Sequence, residues 1–559
     1  MLLNHEKISH VVGTSKPPLL ELTIGEALER AAERWSGKPA LVSRHQDVRL
    51  TWLELKHAAD TFALGLIGLG IEAGDRVGIW APNCAEWTIV QLATARAGII
   101  LVNINPAYRT AELEYTLRKV GVKALVCAEN FKSSDYVAMV ETLVPALHDG
   151  PIHSVELPAL RHVIKIGGAQ RPGWLTFADV IDMGQSRSPG ELSALAAGLD
   201  ANDAINIQFT SGTTGRPKGA TLSHRNVINN AYFVGIGMGL QEGDRLCVPV
   251  PLYHCFGMVM SNLACLVHGA TMVYPSAGFD PVAVLETVEA ERCTALHGVP
   301  TMFISELEHP DFERYDLSSL RTGIMAGAIC PIEVMSKVMD RMHMPDVGVA
   351  YGMTETSPVS FQSAPSDPVE RRVSTVGRVQ PHLEVKVVDP ARGVTVPRGT
   401  AGELCTRGYS VMLGYWDDPD QTAEAIQDGW MHTGDLGVID EEGYGRIVGR
   451  LKDMIIRGGE NIYPREIEEY LYRHDAVEDV QVIGVPDARF GEEICACVRI
   501  RSGKHLTEQD MIAFCRGQIA HYKIPRYVIF LDSYPMTITG KVQKHVLREM
   551  IIDELSNRR

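Results

Sequence analysis

Apolar positions along the chain switch between helical and strand spacing. Thr23 and Glu26 spell a capping box, and Ala27, Leu28, Ala31 and Ala32 then recur at helical spacing, which predicts a first helix. From Asp75 the pattern alternates: strand RVGIWAPN, helix AEWTIVQLATARAG, strand IILVNIN, a helix from about Thr110, and strand KALVCAEN. Such alternation predicts a parallel sheet with helices on its faces. The longest apolar stretch, Thr88 to Ile104, is interrupted by Gln91, Arg96 and Gly98, so it reads as a buried helix and strand, not a membrane span. Residues 146 to 193 carry the weakest pattern and are expected to form connecting loops.

The alternation resumes with a helix after Ser223, strand RLCVPVPL, an apolar helix VMSNLACLVHG and strand ATMVYP, which predicts a second layered α/β unit. After Gly377 the texture changes to short strands with Gly and Pro turns (LEVKVVD, GELCTRG, GYGRIVG), expected to form a small β-barrel-like piece. A boundary falls near Lys452. Beyond it Pro464 opens a helix with Ile467, Tyr470 and Leu471 on one face and Glu466, Glu468 and Glu469 outside. Strands VEDVQVIGV and EICACVRI, a Thr507-capped helix, strand RYVIFL and a last helix from about Lys541 complete a separate α+β domain. The fold class is therefore α/β. Residues 1–451 form a large N-terminal domain of two layered subdomains plus the β-rich piece, and 452–559 a small C-terminal domain.

The 559 residues, 45% apolar and 22% charged, are ordinary for a globular protein with large cores. A net charge of -16 argues against nucleic acid or an anionic membrane as partner, because those bindings need clustered Lys and Arg. Eleven scattered Cys without a CxxC motif read as reduced, mostly buried thiols, which fits a cytoplasmic compartment. The N-terminus, MLLNHEKISHVVG, lacks the apolar core of a secretory signal and the Arg-rich face of a transit peptide.

One stretch changes this picture. Thr210 to Gly219, TSGTTGRPKG, follows a short apolar run and carries three Gly, four Ser or Thr hydroxyls and Lys218. Glycines bring backbone N–H groups close to an anion, hydroxyls add donors, and the Lys adds charge, so this loop is suited to phosphate. It is not a Walker loop, since Lys218 follows Pro217 and precedes Gly219.

Further motifs follow in order: YGMTE (351–355), TGD (433–435), GRLKD (449–453), RGGENIYP (457–464) and PMTITGK (535–541). Together with the loop they resemble the adenylate-forming superfamily, which includes acyl-CoA synthetases, firefly luciferase and the adenylation domains of peptide synthetases. RGYSVMLGYW (407–416) and RLKDMIIRGGENIYPREIEE (450–469) look most like the medium-chain fatty acyl-CoA synthetase branch.

The resemblance implies an ATP- and Mg²⁺-dependent ligase that joins a carboxylic acid to coenzyme A through acyl-AMP. A carboxylate resists attack by a thiol because its leaving group would be oxide, and coupling to the α-phosphate of ATP makes AMP the leaving group. By this resemblance Thr210, Ser211, Gly212, Thr213, Thr214, Gly215 and Lys218 hold the β- and γ-phosphates. Thr354 supplies a hydroxyl for the α-phosphate, and Glu355 is a hard oxygen ligand for Mg²⁺. Tyr351 stacks on adenine, or is a buried core Tyr; Gly327 lines the adenine site with its backbone. Asp435 accepts both ribose hydroxyls, with Arg450 as a second ribose contact. Lys541 bridges the attacking carboxylate and the α-phosphate, a role its local sequence alone would not suggest. The same resemblance makes the C-terminal domain mobile about a hinge at Lys452, after which Gly458, Gly459 and Glu460 line the pantetheine passage. His254, in PLYHCFGM, sits beside the acid pocket or is a satisfied core histidine, and Phe256, Met258, Val299 and Ala350 are weaker guesses for the acyl wall.

Three other classes share parts of this pattern: an enzyme loading a separate carrier protein, a luciferase-like oxygenase, and a non-catalytic binding module. The last predicts loss of a functional group, yet Lys218, Thr354, Glu355, Asp435 and Lys541 are all present. A homodimer is the assembly entertained, the acid is read as medium-chain or short branched on branch resemblance only, and Lys541 is also a candidate for regulatory acetylation.

Overall fold

The structure, a computed structural model, describes residues 7–145, 147, 152, 154–210, 217–328, 330–457, 460–487, 489–536 and 542–557. The chain divides into two compact units, Val12–Val385 with Thr406–Met431, and Met1–Val11 with Lys386–Cys405 and His432–Arg559.

In the first unit the capping box forms as its sequence demands. The Glu26 N–H donates to Thr23 Oγ1 at 3.1 Å, and the Thr23 N–H donates back to the Glu26 carboxylate at 2.7 Å. The helix Ile24–Trp35 that follows buries Ala27, Leu28, Ala31 and Ala32. Nearly every residue of the helix Ala85–Arg96 is buried, which explains its lack of a polar stripe. Its one cation, Arg96, is offset by Asp60 at 2.6 Å and Glu29 at 3.1 Å.

Two sheets carry this unit. One has the strand order Leu175–Thr176, His162–Ile166, Val122–Ala128, Arg76–Trp80, Ile100–Asn103, Ala204–Thr210, Lys218–Ser223, Gly414–Tyr415. The other runs Arg378–Val379, Val359–Gln362, Asp346–Gly352, Thr322–Ala326, Ala295–Gly298, Arg245–Cys247, Thr271–Tyr274, Pro39–Ser43, Val48–Thr51. Their central strands pair in parallel, as the alternating pattern predicts.

Two expectations are corrected here. Residues 146–193 are not merely loops, because His162–Ile166 adds to the first sheet and Phe177–Gln185 is a helix packed on Trp52–Gly68. Its weak pattern reflects a five-residue strand one place in from the sheet edge and a short helix with only Val180 and Gly184 buried. The apolar helix after Phe256 contains a π-helical segment, Met258–Leu263, a distortion that periodicity does not encode and that is frequent at functional sites.

The β-rich segment forms an open six-stranded sheet, with His10–Val12 and Ile426–Gln427 at the ends of its path, instead of closing into a barrel.

In the second unit the strands Val477–Asp487 and Gly491–Ile500 form a long antiparallel pair, with Tyr527–Phe530 parallel to the latter. Both faces are covered. Val480, Val482, Ile494, Ala496 and Val498 pack with Ile467, Leu471 and Met511, while Ile483, Val485, Cys495 and Cys497 pack with Leu547 and Ile551. This double burial accounts for the nearly unbroken apolar runs of those strands. Glu468 corrects the outward face expected for the helix Pro464–Leu471. It is 3% exposed, its carboxylate accepting the Val482 N–H at 2.7 Å and Lys544 Nζ at 2.5 Å. A charge can enter a core only when paired in this way.

Candidate active site

Thr210 and Lys218 are cross-strand partners at the ends of an antiparallel pair, so sheet register brings the two residues opposite each other. Ser211, Gly212, Thr213, Thr214 and Gly215 lie outside the described residues. The flanks are tied further: Tyr115 donates to the Pro217 carbonyl at 3.0 Å, and Lys218 Nζ donates to Gln421 Oε1 while lying 5.1 Å from the Tyr415 ring centroid.

Glu355 is the centre of this cluster. It is 5% exposed, and its Oε1 accepts hydrogen bonds from Thr210 Oγ1 and from the Tyr415 hydroxyl, both at 3.0 Å. Among the described residues no ion pair involves Glu355. Burial first, and then the adjacent Glu355 charge, push the Tyr415 phenol above its ordinary range, which keeps it protonated and a donor.

The turn that presents Glu355 is built by its own sequence. Thr354–Thr356 is a single 3₁₀ turn ending at Ser357, which takes a φ of 71°. Thr356 Oγ1 donates to Pro358 O at 2.7 Å and accepts the Met353 N–H at 3.3 Å. Burial pushes the Cys255 thiol up to about 12, with the neighbouring Gln208 and Thr354 opposing it. Its neighbour His254 caps the short helix Cys255–Gly257, half-buried, with its ring 4.0 Å from that of Tyr253.

Tyr351 and Gly327 come together by strand register. Thr322–Ala326 and Asp346–Gly352 run parallel with Ala326 opposite Ala350, so both residues sit at the carboxyl ends of adjacent strands. That edge is where open α/β sheets bind ligands. Gly327 takes a φ of 88°, which a side chain would strain. Tyr351 is half-buried, its ring 6.4 Å from that of Phe361.

In the second unit Asp435 lies directly opposite Arg450 in an antiparallel pair, with Arg450 Nε 3.3 Å from Asp435 Oδ1. The turn before it is densely bonded. Thr433 Oγ1 donates to Leu404 O at 2.7 Å and accepts the Asp435 N–H at 3.1 Å. The Gly434 N–H donates to Glu403 Oε1 at 3.0 Å, while His432 Nδ1 lies 2.9 Å from Glu403 Oε2 and 3.5 Å from Cys405 Sγ. Lys452 is exposed in the turn Leu451–Asp453. Arg457 stands opposite Glu460 in a hairpin and grips Glu493 at 2.7 and 2.9 Å. Gly458, Gly459 and Lys541 fall outside the described residues, as does the side chain of Glu460. Met536 and Val542, which flank Lys541, form an antiparallel bridge.

Sequence reasoning thus finds Thr210, Lys218, Thr354 and Glu355 gathered in one unit and Asp435 with Arg450 in the other. It misses Tyr415, Gln421 and Glu403. Tyr415 lies within RGYSVMLGYW, but nothing local shows that its hydroxyl reaches a carboxylate sixty residues earlier. It also misses His297, fully buried with Nδ1 2.9 Å from Ser261 Oγ in the π-helical segment and its ring 5.2 Å from that of Phe256.

Comparison with known proteins adds to this geometry. A family model described as AMP-binding enzyme matches residues 28–416, and one described as AMP-binding enzyme C-terminal domain matches residues 466–541. YngI of Bacillus subtilis (strain 168), named for an acyl-CoA synthetase, is 50% identical over 539 residues, 96% of this chain and 98% of its own. The mitochondrial medium-chain acyl-CoA ligase ACSF2 of Danio rerio is 48% identical over 547 residues, 97% and 90% of the two chains. Among solved structures, the anthranilate CoA ligase AuaEII in complex with anthranoyl-AMP is 28% identical with a TM-score of 0.84, covering 96% of this chain and 98% of that one.

Proposed function

The chain belongs to the AMP-binding enzymes, among their acyl-CoA synthetases, and from that premise we propose which residues carry its reaction and which acid it takes. The family consumes ATP and CoA and passes through acyl-AMP to the thioester. The acid is read as medium-chain or short branched, supported by the name of the Danio rerio relative.

The observation that carries the site reading is the convergence of Thr210 and Tyr415 on one oxygen of Glu355. Among the described residues this buried carboxylate receives hydroxyl donors and makes no ion pair, a setting suited to a hard divalent cation. The residues therefore fit Mg²⁺, which when bound supplies charge neutralisation to the phosphates of ATP. Thr210, Lys218 and the segment between them hold the β- and γ-phosphates, and Thr354 donates to the α-phosphate. Tyr351 and Gly327 take adenine, Asp435 with Arg450 the ribose. His254 stands on the acid side, near the turn that carries Thr354.

Lys541 neutralises the approach of carboxylate to phosphate in the first half-reaction. The small domain then rotates about Lys452, the boundary between domains 1–451 and 452–559, and Gly458, Gly459 and Glu460 line the path for CoA. These roles rest on the sequence motifs. A cytoplasmic place of action accords with eleven free cysteines.

The test is acid-dependent ATP–pyrophosphate exchange, followed by AMP release over C2 to C16 acids with and without CoA. Exchange without CoA, and AMP plus thioester with it, are expected for medium-chain acids. Release of ADP in place of AMP overturns the reaction; AMP formation that Glu355→Gln leaves at full rate across a Mg²⁺ titration overturns the metal role.

A further inference from the structure

The side chains of Glu403, Cys405 and His432 meet beside the turn that carries Asp435. A carboxylate oxygen, a thiol sulfur and an imidazole nitrogen, one from each, lie within 4.8 Å of one another. They combine three ligand types that borderline-soft divalent cations accept together, whereas Mg²⁺ and Ca²⁺ demand oxygen. In a four-coordinate zinc site the ligand atoms stand roughly 3.3–3.6 Å apart, given metal–ligand bonds of about 2.0–2.3 Å. Cys405 Sγ and His432 Nδ1 are already 3.5 Å apart, and Glu403 Oε2 is 2.9 Å from the same nitrogen.

We infer that Glu403, Cys405 and His432 form a binding site for a zinc-class divalent cation, with a fourth position open to water. Cys405 is buried completely and Glu403 is 8% exposed, while His432 is half-buried and gives the ion a way in. Binding exchanges the Cys405 thiol proton for the metal, while neutral His432 offers Nδ1 as a lone-pair donor and carries its proton on Nε2, so uptake releases a proton to solvent and no redox partner is needed. Burial and the Glu403 charge hold the Cys405 thiol up to about 12, with the Lys386 charge opposing them; a bound cation reverses that balance.

Glu403 is a shared part. Its Oε1 accepts the Gly434 N–H, so an ion on Oε2 pulls against the turn that sets Asp435. Occupation is therefore transmitted to nucleotide binding, a consequence that rests on the ribose role proposed for Asp435.

Co²⁺ is the probe, added to the full chain. One equivalent is expected to give a thiolate-to-cobalt charge-transfer band and visible d–d bands, displaced by Zn²⁺. Cys405→Ser removes the charge-transfer band, and His432→Gln weakens binding by about tenfold or more. Cys330→Ser, at a half-buried thiol that is not part of the cluster, leaves both unchanged. Competition of the unmodified protein with a chromophoric chelator gives the stoichiometry without any variant, and a ratio near zero overturns the site, as does a band that survives Cys405→Ser. AMP binding is measured in parallel: bands with unaltered AMP affinity overturn the coupling, and an Asp435→Ala protein that binds AMP normally without metal overturns the ribose role instead.

Discussion

The hydroxyl of Tyr415 donates to Oε1 of Glu355 at 3.0 Å, on the same oxygen that accepts from Thr210 Oγ1. The carboxylate is thereby fixed by two strand ends that belong to different parts of the sequence.

Tyr415→Phe removes one donor and leaves the ring that faces Lys218. A hydrogen bond to a charged group contributes about 1.5–3 kcal/mol, so ATP–pyrophosphate exchange is expected to fall about tenfold to a hundredfold, with a higher Mg²⁺ requirement. Mg²⁺ titration of exchange, at a temperature where the variant is shown to be folded, checks this. An unaffected Mg²⁺ curve counts against the role of Tyr415.

Lys541→Ala is expected to abolish exchange while leaving thioester formation from supplied acyl-AMP and CoA, because only the first half-reaction forces two negative groups together. A bulky replacement of Gly459 does the reverse. Measuring both half-reactions on each variant separates the two; intact exchange in Lys541→Ala sinks the assignment.

His224 and His297 are buried and held down to about 3 by that burial. In the unfolded chain both titrate near 6.5, so the unfolded state takes up the extra protons. Stability is then complete above about pH 6.5 and is lost as the pH falls toward 3, at up to about 1.4 kcal/mol per pH unit for each histidine. Urea unfolding between pH 7 and 5.5, above the range of most carboxylates, is expected to show this slope, to which His45, His162 and His268, also lowered by burial, add, and His297→Asn is expected to reduce it by one histidine's share. A flat profile contradicts the prediction.

Glu468→Ala leaves Lys544 and the Val482 N–H without their shared acceptor. Removing one side of a buried pair costs about 3–5 kcal/mol, and Glu468→Gln, which can still accept the N–H, is expected to lose less. Thermal and urea unfolding of both variants decide it; equal stability of Glu468→Ala and the parent rules it out.

Much of the site is legible in the chain because its chemistry is local. The glycine-rich loop flanked by Thr210 and Lys218, the TE pair at 354–355 and the TGD turn each need particular residue types at fixed offsets, and such needs survive in sequence. Glu468 shows where the reading fails. Its helical position places it among polar neighbours, and only Lys544, seventy-six residues later, reveals that it points inward. Likewise the apolar run after Phe256 reads as a plain helix, while contacts such as Ser261 with His297 accompany its π-helical segment.

By itself the sequence determined the alternating elements, the capped helices and the motif-borne family, since periodicity and short-range bonding are properties of neighbouring residues. The tertiary structure alone decided that Tyr415 and Thr210 share Glu355, that Glu403 ties His432 to Gly434, and that the β-rich segment stays open. Those outcomes depend on strand register and packing between distant segments, where a shift of one residue turns each side chain to the opposite face.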